Sequence, residues 1–315
     1  MLKRSNALGL AIAFLILITG PAYFPGFTLY LLTYGLIMAI AALALNLLLG
    51  YTGLMSFGHG MFIGAGAYTV ALMMKYAGVH SFEVLIPLSI LVSAGVAAFV
   101  GLFCTRQIEI YFAMLTLAFG ELLFALCSKF YDLTGGTDGI RVKMPTLFGY
   151  AFKGGTEYYY FVFVLFLLCT LAIWVICNSP FGKTIQAVRD NEVRVGYLGL
   201  LVMKYRLIAF IISGAFTGLA GVLVVSLTGH ATPELFQVFT SISIVFMVIL
   251  GGHISFLGPV VGAIVFVFLQ SWLKPLFFWQ FFLGVSIILL VIFLPGGVLG
   301  GVSVWLRKAL AKISS

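Results

Sequence analysis

Apolar residues run through this chain in long unbroken stretches, and the few places where polar residues and glycines interrupt them carry most of the information. Stretches near the roughly 20 residues that a helix needs to cross a bilayer fall at about 8–24, 28–49, 57–74, 84–104, 110–130, 158–177, 207–227, 238–252, 256–273 and 276–294. They are too long and continuous for barrel strands, which alternate lipid-facing and inward residues. The pattern predicts an all-α polytopic membrane protein of about ten transmembrane helices. The 238–252 stretch is short for a full crossing and reads as a half-helix.

Two of the interruptions look alike. "GYTGLMSFGHGMFIGAGA", Gly50 to Ala67, holds six Gly, and "GGHISFLGPVVGA" runs from Gly251 to Ala263. Aligned on their Ser-Phe pairs, they share G-x-x-S-F (Gly53, Ser56, Phe57; Gly252, Ser255, Phe256), a later Gly (Gly58; Gly258) and a Gly-Ala (Gly64, Ala65; Gly262, Ala263). Gly60, Gly64 and Gly66 suit close helix packing. Gly50, Gly53 and Gly58, set among Thr52, Ser56 and His59, read instead as unwound backbone. One reading makes the pair broken or re-entrant elements in corresponding positions of an internal repeat, bordering a transport path. Ser56 and Ser255 would then offer polar contacts to a passing zwitterion, and Phe57 and Phe256 would narrow the passage. The other reading is two tight turns of similar sequence. Counting ten spans puts both on the cytoplasmic side, as a parallel repeat; a half-helix at 238–252 would allow an inverted one.

Composition narrows the class. The chain is 63% apolar and 8% charged with a mean hydropathy of +1.19, against about a quarter charged in soluble domains. Counting basic residues by loop places eleven of the 17 on one face: Lys3, Arg4, Arg106, five from Lys183 to Arg206, and three from Arg307 onward. That face is expected to be cytoplasmic, with both termini inside. The net charge of +8 then reports topology, and no basic stripe with interleaved aromatics points to nucleic acid. Lys3-Arg4 before the apolar run Leu8 to Thr19 has the look of a signal peptide. "ITGPAYFPG" lacks an A-x-A-like cleavage site, however, so this segment is expected to be the first span. Cys104, Cys127, Cys169 and Cys177 lie in or at the ends of spans without a C-x-x-C, and read as packing residues.

The expected organisation is a single transmembrane domain over 1–315 with two long loops. The loop at 131–157, on the external face, is Gly-rich with mixed charge; it is either a turn-rich connector or part of a docking surface for an external partner. The loop at 178–206, on the cytoplasmic face, holds 7 of the chain's 26 charged residues in 29 positions. Between Gly182 and Gly196 it carries a short helix candidate with Ile185 and Val188 on one side, and Asp190 stands four residues ahead of Arg194, the spacing of a helical ion pair. Such a helix suits a cytosolic partner or anionic lipid equally well.

Candidate chemistry is sparse. His59, His80, His230 and His253 are scattered, and neither catalytic motifs nor a phosphate-binding G-x-x-x-x-G-K-[ST] is present. Any nucleotide-driven engine must sit on another chain. Glu121, in "LTLAFGELLFALC", is an acid in mid-span with no Lys or Arg in the core of that span. Intramembrane acids are costly and face a cavity or a partner, or are neutralised in helix packing.

At this point the residues resemble a known family. "NLLLGYTGLMSFGHGMFIGAGAY", "TLAFGEL", "LTGGTDGI", "GKTIQAVRDNEVRVGYLGL", "KYRLIAFIISGAFTGLAGVL" and "VILGGHISFLGPVVGA" are similar, in order and spacing from about 28 to 297, to the permease subunits of branched-chain amino-acid ABC importers, the LivM type. One position departs from the pattern: His253 stands in "GGHIS" where such permeases more often carry Gly-Leu-Gly. The resemblance implies a subunit of the bacterial inner membrane that pairs with a second homologous permease, two cytosolic ATPases and a periplasmic substrate-binding protein. ATP would bind the partner subunits and no cofactor this chain, which would not itself be an enzyme. It also implies ATPase docking at the loop matching Gly182 to Leu200, hence coupling roles for Gly182, Lys183, Arg189, Asp190, Glu192 and Arg194. The expected path residues are Gly53, Ser56, Phe57, Gly58, Glu121, Gly252, Ser255, Phe256 and Gly258. Related permeases carry urea, short amides or other amino acids, and nothing in the sequence reads the substrate. A self-sufficient secondary transporter or channel using Glu121 and the two breaks is the rival class.

Overall fold

The computed structural model describes residues 20–21, 26–107, 109–152, 154–293 and 297. The stretch expected as the first span, 8–24, lies almost wholly outside them.

At the centre stands α1 (Phe27–Asn46), prolonged by one turn of π-helix, Leu47–Thr52. It is apolar all round and buried on every side from Gly35 to Leu48, as a helix enclosed by other helices must be. Gly53 ends it in the left-handed conformation at φ 76°. Next come α2 (Gly60–Ala77), α3 (Phe82–Cys104), α4 (Glu109–Lys129), the short α5 (Tyr131–Thr134) and α6 (Gly155–Asn178). Two small helices, α7 (Pro180–Asp190) and α8 (Glu192–Tyr197), lead into α9 (Val202–Thr228). The last described elements are α10 (Val238–Gly251), α11 (Gly258–Leu273) and α12 (Trp279–Phe293). Helices α6, α9, α10 and α11 pack on α1, and α9 also lies along α2 and α3.

Contacts of backbone on backbone set the spacing. A β-carbon at Gly66 of α2 would fall inside the carbonyl oxygen of Gly218 in α9, one at Gly221 inside that of Ile63, and one at Gly262 of α11 inside that of Met247 in α10. Gly66 thus has the close-packing role its spacing suggested. The opposite, loop-bearing end is tied by a two-stranded antiparallel ladder. There β1 (Ile140–Arg141) faces β2 (His230–Ala231), with Ile140 opposite Ala231. All four cysteines are free and buried.

Among the described residues, five helices are long and apolar enough to cross a membrane: Phe27–Thr52, Phe82–Cys104, Glu109–Lys129, Gly155–Asn178 and Val202–Thr228. The last three expected spans form helices of 14, 16 and 15 residues, short of the roughly 20 that a crossing needs. Between α9 and α10 the chain does not run straight back. It forms β2, then a 3₁₀ turn, Pro233–Phe236, whose Phe236 ring packs on Tyr68 at 5.6 Å. The half-helix expected at 238–252 is α10. Outward faces of α3, α4 and α6 are apolar, with Leu91, Phe99, Ile110, Met114, Leu168 and Leu171 all exposed, as lipid-facing helices require.

Backbone contact cannot be relieved by a side-chain rotation, so Gly66→Val should lower the thermal stability of the detergent-solubilised protein by about 1–3 kcal/mol or prevent its accumulation in the membrane. Gly95→Val, at a site with open space around it, should leave both unchanged. Thermal unfolding followed by size-exclusion chromatography checks the pair.

Candidate translocation and coupling site

Both Gly-rich stretches leave the helix. The first is non-helical from Gly53 to His59 and the second from Gly252 to Leu257. They lie at the same end of the bundle and meet there: a β-carbon at Gly50 would stand 2.7 Å from the backbone carbonyl of His253 and 2.6 Å from Asn46 Oδ1. Asn46 is 1% exposed, and its Oδ1 has no hydrogen-bond partner.

The first break is held by side chains from other helices. Ser213 of α9 donates to the Ala44 carbonyl at 2.6 Å, so its oxygen accepts from His59 Nε2 at 2.8 Å. Nδ1 then accepts from Ser56 Oγ at 3.0 Å, and Ser56 Oγ accepts from the Gly58 N–H at 3.4 Å. In the neutral ring this direction of donation puts the proton on Nε2. Thr116 of α4 accepts from Phe57 N–H at 3.3 Å, and Ser241 of α10 accepts from Gly60 N–H at 2.8 Å. Gly58 lies directly on the Thr116 carbonyl. Ser56 is fully buried and engaged with His59, while Phe57 is half-buried.

The second break is a tight turn. Gly252 sits at φ 95°, Ser255 Oγ donates to the Gly252 carbonyl at 3.3 Å, and Gly258 packs on that carbonyl. Ser255 and Phe256 are half-buried, and His253 and Ile254 are exposed.

Helix α7 lies beneath the first break. Ser179 caps it by accepting from Gly182 N–H at 3.2 Å, with Pro180 at the first helical position, a favoured start. Gly182, Ile185 and Val188 are its buried side, as the period predicted. Gly182 is pressed against the carbonyls of Ile176 and Cys177. Arg189, in the last turn, donates from Nη1 to the Gly50 carbonyl at 2.5 Å, and its Nε and Nη2 bond Asp190 at 3.0 and 2.8 Å. The expected Asp190–Arg194 pair is not formed. Asn191 ends α7 and caps α8 by accepting from Arg194 N–H at 2.9 Å, which puts the two charges on separate helices. Glu192 pairs with Arg206, and Lys183 and Arg194 are exposed. A groove of about 330 Å³ runs between Thr52 to Leu54 and Val188 to Val193.

Glu121 stands at the far end of α10 from the second break, and its neighbour Gly120 packs on Gly58 of the first. Its Oε1 accepts from Val238 N–H at 2.9 Å, placing the carboxylate at the positive N-terminus of α10, where a helix favours negative charge. Helix α10 therefore connects the acid at one end with the second break at the other. His59, Ser213, Thr116 and Asn46 were not singled out as site residues by the sequence. Only the position of His59 inside "SFGHG" signalled it.

Residues 27–294 match the family described as branched-chain amino acid transport system permease component. The chain belongs to that family. It is 32% identical over 292 residues to the high-affinity branched-chain amino acid transport system permease protein LivM of Salmonella typhimurium, covering 85% of this chain and 68% of the relative. To the protein of that name from Escherichia coli it is 31% identical over 297 residues, 86% and 70% of the two chains. To the probable branched-chain amino acid transport permease protein LivM of Methanocaldococcus jannaschii it is 24% identical over 323 residues, 86% and 92%. No solved structure matches. Membership in this permease family and the apolar helices make the chain an integral membrane component of a transport system.

Two predictions follow from the bonds that hold this permease's breaks. His59→Leu removes both partners of the ring and should destabilise the protein by about 2–4 kcal/mol. The same change combined with Ser213→Ala should lose less than the sum of the two, because they share one bond. Glu121→Gln keeps an acceptor for Val238 N–H and should assemble normally. Glu121→Leu strands that N–H and should lower the folded yield, measured by the monodisperse fraction after solubilisation.

Proposed function

We propose that this chain is the membrane-spanning permease subunit of a binding-protein-dependent ABC importer for branched-chain amino acids. In this reading it lies in the bacterial inner membrane, crosses it about ten times and keeps both termini in the cytoplasm. It pairs with a second homologous permease and takes its substrate from a periplasmic binding protein. Two cytosolic ATPases, which bind the ATP, drive it; the chain itself holds no cofactor. The names of the relatives support the substrate class.

The observation that carries the mechanism is the bond from Arg189 to the Gly50 carbonyl. It links an amphipathic surface helix to the π-helical turn that leads into the first break, and Gly50 in turn rests on the second break at His253. Helix α7 is the coupling helix in this reading, with Gly182 seating it and Lys183 and Arg194 facing the ATPase. Arg189 and Asp190 grip the break, and Glu192 braces the helix pair through Arg206. Val193, Tyr197, Leu198 and Leu201, all more than half exposed, extend that docking surface. Displacement of α7 by the ATPases pulls on Gly50 and moves both breaks. Phe57, Ser255 and Phe256 border the passage; Gly53, Gly58, Gly252 and Gly258 let the backbone turn there; and Ser56 holds the first break through His59. The units α1–break–α2 and α10–break–α11 run in the same sense, as two copies of a parallel repeat.

The experiment is reconstitution in proteoliposomes with the companion permease, the ATPases and the binding protein, with uptake of leucine, isoleucine and valine measured. Uptake should require ATP and every partner. Robust ATP-independent uptake by this chain alone overturns the reading, and uptake of urea or a short amide instead overturns the substrate class. In the same assay Arg189→Met should leave ATP hydrolysis running while uptake falls about 10–100-fold, the effect of losing a charge-assisted bond of about 1.5–3 kcal/mol that distinguishes two states.

A further inference from the structure

One surface of the bundle does not suit lipid. Gln237, the residue that caps α10, and Thr240 and Ser243 on the helix follow one edge three residues apart and are all half-exposed. Glu121 of α4, also half-exposed, stands at its head through the bond to Val238 N–H. The backbone leading into this row is irregular, and backbone of that kind at membrane depth survives only against protein or water. An acid facing hydrocarbon there would be strongly unfavourable.

The hydrogen-bond directions show what the row presents. Thr240 Oγ1 donates its proton to the Glu234 carbonyl at 3.0 Å and Ser243 Oγ to the Phe239 carbonyl at 2.8 Å. Both hydroxyls therefore turn only lone pairs outward. Glu121 adds a carboxylate held on one oxygen by a backbone N–H, and no Lys or Arg pairs with it among the described residues. Gln237 brings one further acceptor and an amide donor. The row is thus rich in acceptors and carries negative charge, which suits a group that only donates. Beside it lie Phe239, 67% exposed, and the half-exposed Ile242 and Phe246.

We infer that Glu121, Gln237, Thr240 and Ser243 line the aqueous path and receive the primary ammonium group of the passing zwitterion, with Phe239 and Phe246 against its aliphatic side chain. This rests on the importer reading and adds to it where the substrate touches the chain. The acceptor row explains how a path of apolar helices passes a charged amine: the ammonium exchanges water for lone pairs already oriented by their own backbone bonds.

Charge-selective labelling tests this. Thr240→Cys and Ser243→Cys are made separately in the full importer and treated with 2-aminoethyl methanethiosulfonate, which carries a primary ammonium, and with the anionic 2-sulfonatoethyl reagent. Leu171→Cys on the outward face of α6 and the parent chain serve as controls. At both test positions the ammonium reagent should react about fivefold faster than the anion, as a nearby unit charge produces in water. Glu121→Gln should abolish that preference, and leucine supplied with its binding protein and ATP should slow the labelling. If both positions are inert while Leu171→Cys is inert too, the row is covered by the companion permease or by lipid and the inference falls. It also falls if labelling shows no charge preference, or one that survives Glu121→Gln. If either cysteine variant fails to assemble, the other decides. Leucine uptake by the parent importer is measured in parallel. Its absence counts against the importer reading itself, whereas normal uptake with inert cysteines counts only against this row.

Discussion

A peptide group freed from a helix inside a bilayer has no water to turn to, and the architecture of this protein answers that constraint. Each break exposes donors and acceptors that its own helix no longer claims; at the second Ser255 meets the Gly252 carbonyl locally, while at the first most partners come from elsewhere in the chain. Thr116 takes the N–H of Phe57, Ser241 that of Gly60 and Arg189 the carbonyl of Gly50, and where α10 begins Glu121 takes the N–H of Val238. Left unsatisfied, each would be unfavourable by about 1–3 kcal/mol, comparable in sum to the stability of a whole domain. The first break persists because α4, α7 and α10 hold it.

Reaching across helices in this way requires the helices to be close, which is why the same regions are rich in glycine. The contacts of Gly66 on Gly218, Gly58 on Thr116 and Gly262 on Met247 leave no room for a side chain, so hydroxyls as short as those of Ser and Thr can span the gap. Polar satisfaction and backbone packing are therefore one requirement. A shift of a single helix disturbs both at once, and such an assembly favours discrete arrangements over gradual deformation.

This division explains what could be read in advance. The two breaks were legible because their glycines and small polar residues are local, and α7 because Gly182, Ile185 and Val188 recur at helical spacing within one short segment. The His59–Ser213 and Arg189–Gly50 bonds were not, since their partners lie 154 and 139 residues apart and no local pattern joins them. The Asp190–Arg194 pair failed for a local reason that was present in the sequence. Asn191 is a strong N-cap, and starting a new helix there outweighed the few tenths of a kcal/mol of an exposed i,i+4 pair. The shortness of α10 was visible in its apolar run, whereas the role of Glu121 as its terminal acceptor depends on how the 3₁₀ turn carries the chain back into the bundle.

Helix α10 is where these features converge. It is a rod of 14 residues, about 21 Å long, with the carboxylate of Glu121 bonded at its first residue and the His253 turn at its last. In its last turns Gly251 lies on the Gly258 carbonyl and Gly262 of α11 lies on the carbonyl of Met247, contacts too tight for the two helices to slide past each other there. The hairpin of α10 and α11 must then move as one body. The ends of α10 are the segment 229–237 beside Glu121 and the turn that touches Gly50, and Ser241 ties the helix to Gly60 between them. In the proposed coupling, a pull on Arg189 at one end reaches the acid on the other without any change in the helix between them.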